Sequence, residues 1–184
     1  MKRIFIGIKI NPDKNFKKLI TAIREELSGE AIKWTDLENI HITLAFLGDT
    51  HEDRLEGINE MLREKCEGRG GFEISLKGFG VFKSLHDPKV FWAGLYQSDK
   101  LSTLQASIVE GLKGLGITVE GRPFSPHLTI GRIKHIRDFD NLKVLLLKYH
   151  STDIQRINVS EVILYESILR QEGPVYKALE VLKL

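Results

Sequence analysis

Two short segments constrain this chain more than anything else in it: His41-Ile42-Thr43-Leu44 and His127-Leu128-Thr129-Ile130. Each alternates polar with apolar residues. On a β-strand, successive side chains point to opposite faces. Each segment therefore reads as a strand that turns its apolar residues into a core and keeps His and Thr together on the other face. With 6 histidines and 8 threonines in the chain, chance supplies roughly 0.3 His-x-Thr matches, and the sequence holds three. The third, His150-Ser151-Thr152, has no apolar residues at the alternate positions and falls where a helix hands over to a strand. It reads as accidental.

The remaining periodicity supplies a frame for these two strands. Further strands are expected at 3–10, 72–83, 89–96, 117–120, 154–165 and 174–182, with the histidine strands at 40–47 and 127–133. Helical spacing of apolar residues marks 14–28 (Phe16, Leu19, Ile20, Ile23, Leu27) and 99–114 (Leu101, Leu104, Ile108, Leu112). Shorter helices are expected at about 50–66, with Thr50 as N-cap, and at 138–148. Ser84 to Pro88 reads as a hairpin turn, and Gln171-Glu172-Gly173 as another. The order is that of an α+β fold with mostly antiparallel pairing. A helix followed by a His-x-Thr strand occurs in each half of the chain.

At 184 residues the chain suits one domain, taken as 1–184. Its net charge of +2 does not announce a nucleic-acid binder, so any anion site must come from local clustering. The single cysteine, Cys66, can form neither an internal disulfide nor a zinc cluster, which points to a reducing cytoplasm. No stretch approaches the ~18 apolar residues of a membrane span, and the opening apolar run is too short for a signal peptide.

The paired histidines suit one kind of chemistry. Displacement at a phosphodiester needs a base to activate a hydroxyl or water and an acid to protonate the departing oxygen. Histidine does either near neutral pH. Two histidines flanking one phosphorus do both, one neutral and one protonated. Threonine hydroxyls and backbone amides can hold the non-bridging oxygens. Catalytic roles are therefore expected for His41 and His127, and phosphate contacts for Thr43 and Thr129. Neither metal nor cofactor is required.

The stretches Asn39–Gly48 (NIHITLAFLG) and Pro126–Arg132 (PHLTIGR) resemble the paired motifs of the two-histidine (2H) phosphoesterase superfamily. Within it they are most similar to the 2′-5′ RNA ligase branch, also described as RNA 2′,3′-cyclic phosphodiesterases. The likeness extends to the opening MKRIFIGI, to GFGVFKSL and PKVFWAGL, and to LYESIL and GPVYKAL. It implies two pseudo-symmetric lobes of mostly antiparallel sheet, helices packed outside, and an active-site cleft between the sheets. It implies action on RNA ends or nucleotides bearing a 2′,3′-cyclic phosphate that leaves a 2′-phosphate, and members can also join ends through a 2′-5′ bond by reversal without ATP; a monomer is expected.

The resemblance also assigns Arg132 to the phosphate. Arg132 lies five residues after His127, so plain alternation puts it on the wrong face. Gly131 is a place for a bulge that would re-aim it. Lys134, His135 and Arg137 read as a solvated strand end, Trp34, Phe79 and Phe82 as core aromatics, and His51 and His86 as surface residues. Three rivals are disfavoured. A metal hydrolase lacks its ligand spacing. An ATP-dependent ligase lacks its lysine motif and phosphate loop. A binding module that had lost catalysis would not need both histidines and both threonines.

Overall fold

The chain's structure, a computed structural model, describes residues 1–96, 98–119, 123–171 and 173–184. Among these, the elements run β1 (Lys2–Lys9), α1 (Lys14–Glu26), β2 (Ala31–Trp34), β3 (His41–Thr50), α2 (Leu55–Cys66), β4 (Phe72–Lys83), β5 (Pro88–Leu95), α3 (Asp99–Gly114), β6 (His127–His135), α4 (Phe139–Tyr149), β7 (Asp153–Val159), β8 (Glu161–Leu169) and β9 (Pro174–Lys183). Three helices start on side-chain caps: Asp13 accepts from the Phe16 N–H at 2.7 Å, Ser98 from Leu101 at 3.3 Å and Asp138 from Asn141 at 2.8 Å. Each satisfies an amide that the helix itself leaves open. Among the described residues no helix is long and apolar enough to cross a membrane.

The strands pair antiparallel throughout, in the order β7-β4-β5-β6-β3-β1-β8-β9, with β2 added to β6. The two expected half-sheets are thus joined edge to edge at the β6–β3 seam. The seam divides the order into matching halves. β6 mirrors β3, β5 mirrors β1, β4 mirrors β8, and β7 mirrors β9. The helices share the symmetry. α1 follows β1 yet packs on β7 in the opposite half, and α3 follows β5 yet packs on β3. α2 and α4 stay with their own halves, against β9 and β4.

One core lies between the sheet and all four helices. Ile4, Ile6, Ile42, Leu128 and Ile130 enter it from the sheet, and Phe16, Leu62, Ile108 and Leu142 from the helices. The opposite face of the sheet carries a separate small cluster, Phe5, Ile163 and Tyr165, with Phe46 and Tyr176 beside it.

Four expectations need correction. Thr50 does not cap a helix. It is buried in β3 opposite Lys2, its hydroxyl donates to the Gly48 carbonyl, and a 3-10 turn at Glu52–Arg54 precedes α2. Pairing with a long β1 carries the strand past Gly48, which takes φ +70°. The single strand expected at 154–165 is two, because the chain leaves one edge of the sheet after Val159 and pairs with β1 over Ile163–Glu166. Residues 117–119 form no strand, and Glu120 lies outside the described residues, as does Glu172 of the second turn. β2 was not expected at all. It is four residues long and exists through its pairing with β6.

Candidate active site

β3 and β6 meet through the pair Ile42↔Leu128, the second residue of each motif. Carrying that antiparallel register one residue each way sets His41 opposite Thr129 and Thr43 opposite His127. Opposed residues of a sheet stand about 5 Å apart at Cβ, so the four polar side chains form one patch. Ile42, Leu44, Leu128 and Ile130 point the other way into the core, each at most 3% exposed. Burial of those four side chains is what fixes the patch, because a one-residue slip would bury the histidines.

The two rings are held alike. His41 Nδ1 lies 2.7 Å from the Asn39 carbonyl oxygen, and His127 Nδ1 lies 2.7 Å from that of Ser125. A carbonyl can only accept, so each Nδ1 carries the proton. Each Nε2 is then the nitrogen left for chemistry, an acceptor when the ring is neutral and a donor when it is charged. Anchoring by the chain two residues upstream also limits rotation of the ring.

The surroundings of His41 are aromatic. Its ring centroid is 4.8 Å from Phe5 and 5.0 Å from Tyr176, the latter edge-on. Gly7 lets β1 lie close to β3 here: a Cβ would come within 2.8 Å of the Ile42 carbonyl oxygen, while the His41 ring would stand at an ordinary 3.6 Å. A depression beside His41 is lined by Lys9, Asn39, Tyr165 and Tyr176. Burial pushes the Tyr165 hydroxyl up to about 12. It raises the Tyr176 hydroxyl as well, against the opposing charges of Arg132 and Arg3. Both phenols are therefore neutral donors at physiological pH. On the other side of the cleft, Phe82 stands edge-on to His127 at 4.7 Å and meets Trp92 at 5.3 Å. Phe82 is not the core residue that its sequence suggested. Phe79 is, at 4% exposed, and Trp34 packs at the core margin under Arg24.

Burial lowers the His41 pKa, the Asn39 carbonyl opposes this, and the positive charge of His127 lowers it further. His41 is therefore neutral at pH 7. Its titration by NMR is expected below the ordinary 6.5. As pH falls past that value the unfolded chain takes up a proton before the folded one does. The contribution of His41 to stability is thus complete above about pH 7 and is lost as pH falls towards the folded pKa. His127→Ala is expected to move the His41 titration upward. An unmoved titration would mean that the two rings do not sense each other.

Arg132 reaches the histidine face by a bulge. Thr129 pairs with Trp92 and Gly131 with Phe91, so Ile130 is an extra residue in β6. The alternation shifts there by one: Ile130 and Gly131 are consecutively buried, Arg132 is exposed, and Ile133 returns to the core. Gly131 is needed where β2 crosses, since a Cβ would meet Ile32 at 2.9 Å and Trp34 at 3.1 Å. The first motif has the same device. Thr43 pairs with Gly7 and Ala45 with Ile6, leaving Leu44 extra. Phe46 therefore occupies in β3 the place that Arg132 occupies in β6.

The remaining sequence candidates lie elsewhere. His150 ends α4 and is exposed, as are His51, His86, Lys134, His135 and Arg137. Cys66 is buried in α2, and burial pushes its thiol up to about 11, so it offers no thiolate. Among the described residues no three His, Cys, Asp or Glu side chains stand together as metal ligands. Phe5, Gly7 and Tyr176 escaped the sequence reading. Apolar residues on both faces of β1 hide which of them face the cleft, and Tyr176 meets His41 only through β8 and β1.

Known proteins match this chain from end to end. The family model described as "LigT like Phosphoesterase" matches residues 8–92 and 96–176. A protein of Methanothermobacter thermautotrophicus named RNA 2′,3′-cyclic phosphodiesterase is 34% identical over 184 residues, covering 99% of this chain and 98% of its own. One of the same name from Archaeoglobus fulgidus is 36% identical over 180 residues, covering 97% and 98%. A solved structure from Thermus thermophilus superposes with TM-score 0.81 at 23% identity, over 99% of this chain and 97% of that one. Escherichia coli LigT complexed with 3′-AMP gives TM-score 0.77 at 22% identity, over 100% and 98%. With matches that span nearly its whole length, the chain belongs to the LigT-like phosphoesterases of the 2H superfamily, a family of cyclic phosphodiesterases.

Proposed function

We propose that this chain, acting as a monomeric unit over residues 1–184, hydrolyses 2′,3′-cyclic phosphates at RNA ends to 2′-phosphates without a metal ion. One histidine accepts a proton at Nε2 from the attacking water, and the new P–O bond forms. The P–O3′ bond breaks, and the Nε2–H of the other histidine protonates the departing O3′. The phosphate stays on O2′ and the 3′-hydroxyl is free. Thr43 and Thr129 hold the non-bridging oxygens, and Arg132 meets the charge that grows on them. With a 5′-hydroxyl in place of water, the same displacement makes a 2′-5′ bond with no need of ATP.

The observation that carries this reading is the matched anchoring of the two rings, which leaves Nε2 as the working nitrogen of both. The names of the relatives point to the same substrate. An oligoribonucleotide with a 2′,3′-cyclic end, incubated in EDTA, is expected to give the 2′-phosphate. Product carrying only a 3′-phosphate, or activity lost to the chelator and restored by zinc or manganese, would count against it.

A further inference from the structure

We propose that Arg3 forms a second phosphate subsite on the β1 side of the cleft, which takes the phosphodiester next to the cyclic end and so selects a polynucleotide over a cyclic mononucleotide. The proposal rests on the cyclic phosphodiesterase reading above.

Arg3 lies on the histidine face. On β1, Ile4, Ile6 and Ile8 enter the core, while Phe5 joins the cluster on the opposite side of the sheet and Gly7 adjoins His41. Arg3 has the parity of Phe5 and Gly7. It stands two residues beyond Phe5, about 7 Å further along the strand, and so one side-chain layer past the ring that packs on His41.

Its guanidinium is held and yet open. The cross-strand neighbour of Arg3 is Asp49, a carboxylate in position to pair with it. The guanidinium instead lies over the Phe46 ring, 5.1 Å from its centroid. Stacking on a ring face orders the group while leaving the N–H donors at its edge for a bidentate partner. Phe46 is the residue that the first bulge puts in the place of Arg132. Each half of the cleft therefore presents a guanidinium at this level. One is Arg132 itself, and the other is Arg3 seated on the residue equivalent to it. The Tyr176 hydroxyl, in the cluster beside His41, feels the charge of both Arg132 and Arg3.

A single-stranded RNA end has phosphates at successive nucleotides, whereas a cyclic mononucleotide has only the reacting one. A guanidinium one layer beyond the histidines has work to do only with the former. Anions matched to a guanidinium fork favour phosphate geometry.

The test compares a cyclic mononucleotide with a trinucleotide ending in the cyclic phosphate, for the wild type, Arg3→Ala and Arg3→Lys. Arg3→Ala is expected to lower the kcat/KM preference for the trinucleotide about tenfold, through KM rather than kcat. The salt dependence of log KM for the trinucleotide should become shallower by about 0.7. Arg3→Lys should recover the salt slope but only part of the preference. An unchanged preference, or a loss that falls on kcat, overturns the proposal. Affinity for a trinucleotide and a mononucleotide that end in 2′-phosphate, measured by calorimetry, gives an arm independent of turnover. If the wild type turns over neither cyclic substrate, the phosphodiesterase reading fails. The Arg3 subsite then stands or falls on whether Arg3→Ala weakens the trinucleotide alone.

Discussion

Replacing either motif histidine by alanine is expected to lower turnover of a 2′,3′-cyclic phosphate by roughly 10² to 10⁴, the usual worth of a positioned acid or base. Each ring donates from Nδ1 to a carbonyl two residues upstream, so each substitution removes one Nε2 and little else. The double variant should lose less than the product of the two single losses, because an acid without its base partner no longer acts on a concerted step. His150→Ala is the internal control. That residue ends α4, is exposed, and belongs to a His-x-Thr with no apolar anchor. It should stay within about twofold of the wild type. Thermal melts of all four variants separate lost chemistry from lost structure. A folded His150→Ala as impaired as His127→Ala would show that the cleft has been assigned to the wrong strands.

Removal of the Arg132 guanidinium should be the next largest effect. Arg132→Ala is expected to lower kcat by roughly 10² to 10³, the range found when one preorganised donor to developing charge is removed. Arg132→Lys should restore little of it, since an ammonium offers a point charge in place of a planar fork. Melting temperature should hardly move, because the side chain is exposed and the bulge that aims it is built from Ile130 and Gly131. This result would contrast with Arg3→Ala, whose loss is expected in KM and only for a polynucleotide. If Arg132→Ala stays within twofold of the wild type on the same substrate, Arg132 is a rim charge and the phosphate depends on the threonines and backbone amides.

Much of this protein is written locally. The period-two pattern of HITL and HLTI states that His and Thr share one face and that Ile and Leu share the other. The period of α3, Leu101 to Leu112, states its length and its buried stripe. These patterns depend only on backbone geometry and on the gain from burying apolar side chains, so they survive without knowledge of neighbours. The likeness of the two motifs to each other is also local, and it is enough to point to the family.

What the tertiary structure alone decided is everything that depends on which strand lies beside which. The pairing of Ile42 with Leu128 brings the motifs together. It is chosen by a core that gathers residues from all four helices, not by either segment. The face of Arg132 cannot be read from its distance to His127, since local alternation gives parity only up to the next bulge. The extra residue at Ile130 shows only in the pairing of β6 with β5, at the point where β2 takes over from β3 on the other edge. The same holds for Thr50, held in β3 by its pairing with Lys2, and for Ser160, where the chain changes partners with no glycine or proline to mark it. Phe5, Phe82 and Tyr176 meet the histidines across strands far apart in sequence. Alternation assigns a residue to one of two faces, but cross-strand hydrogen bonding and core packing, both non-local, set the register that turns those faces into a site.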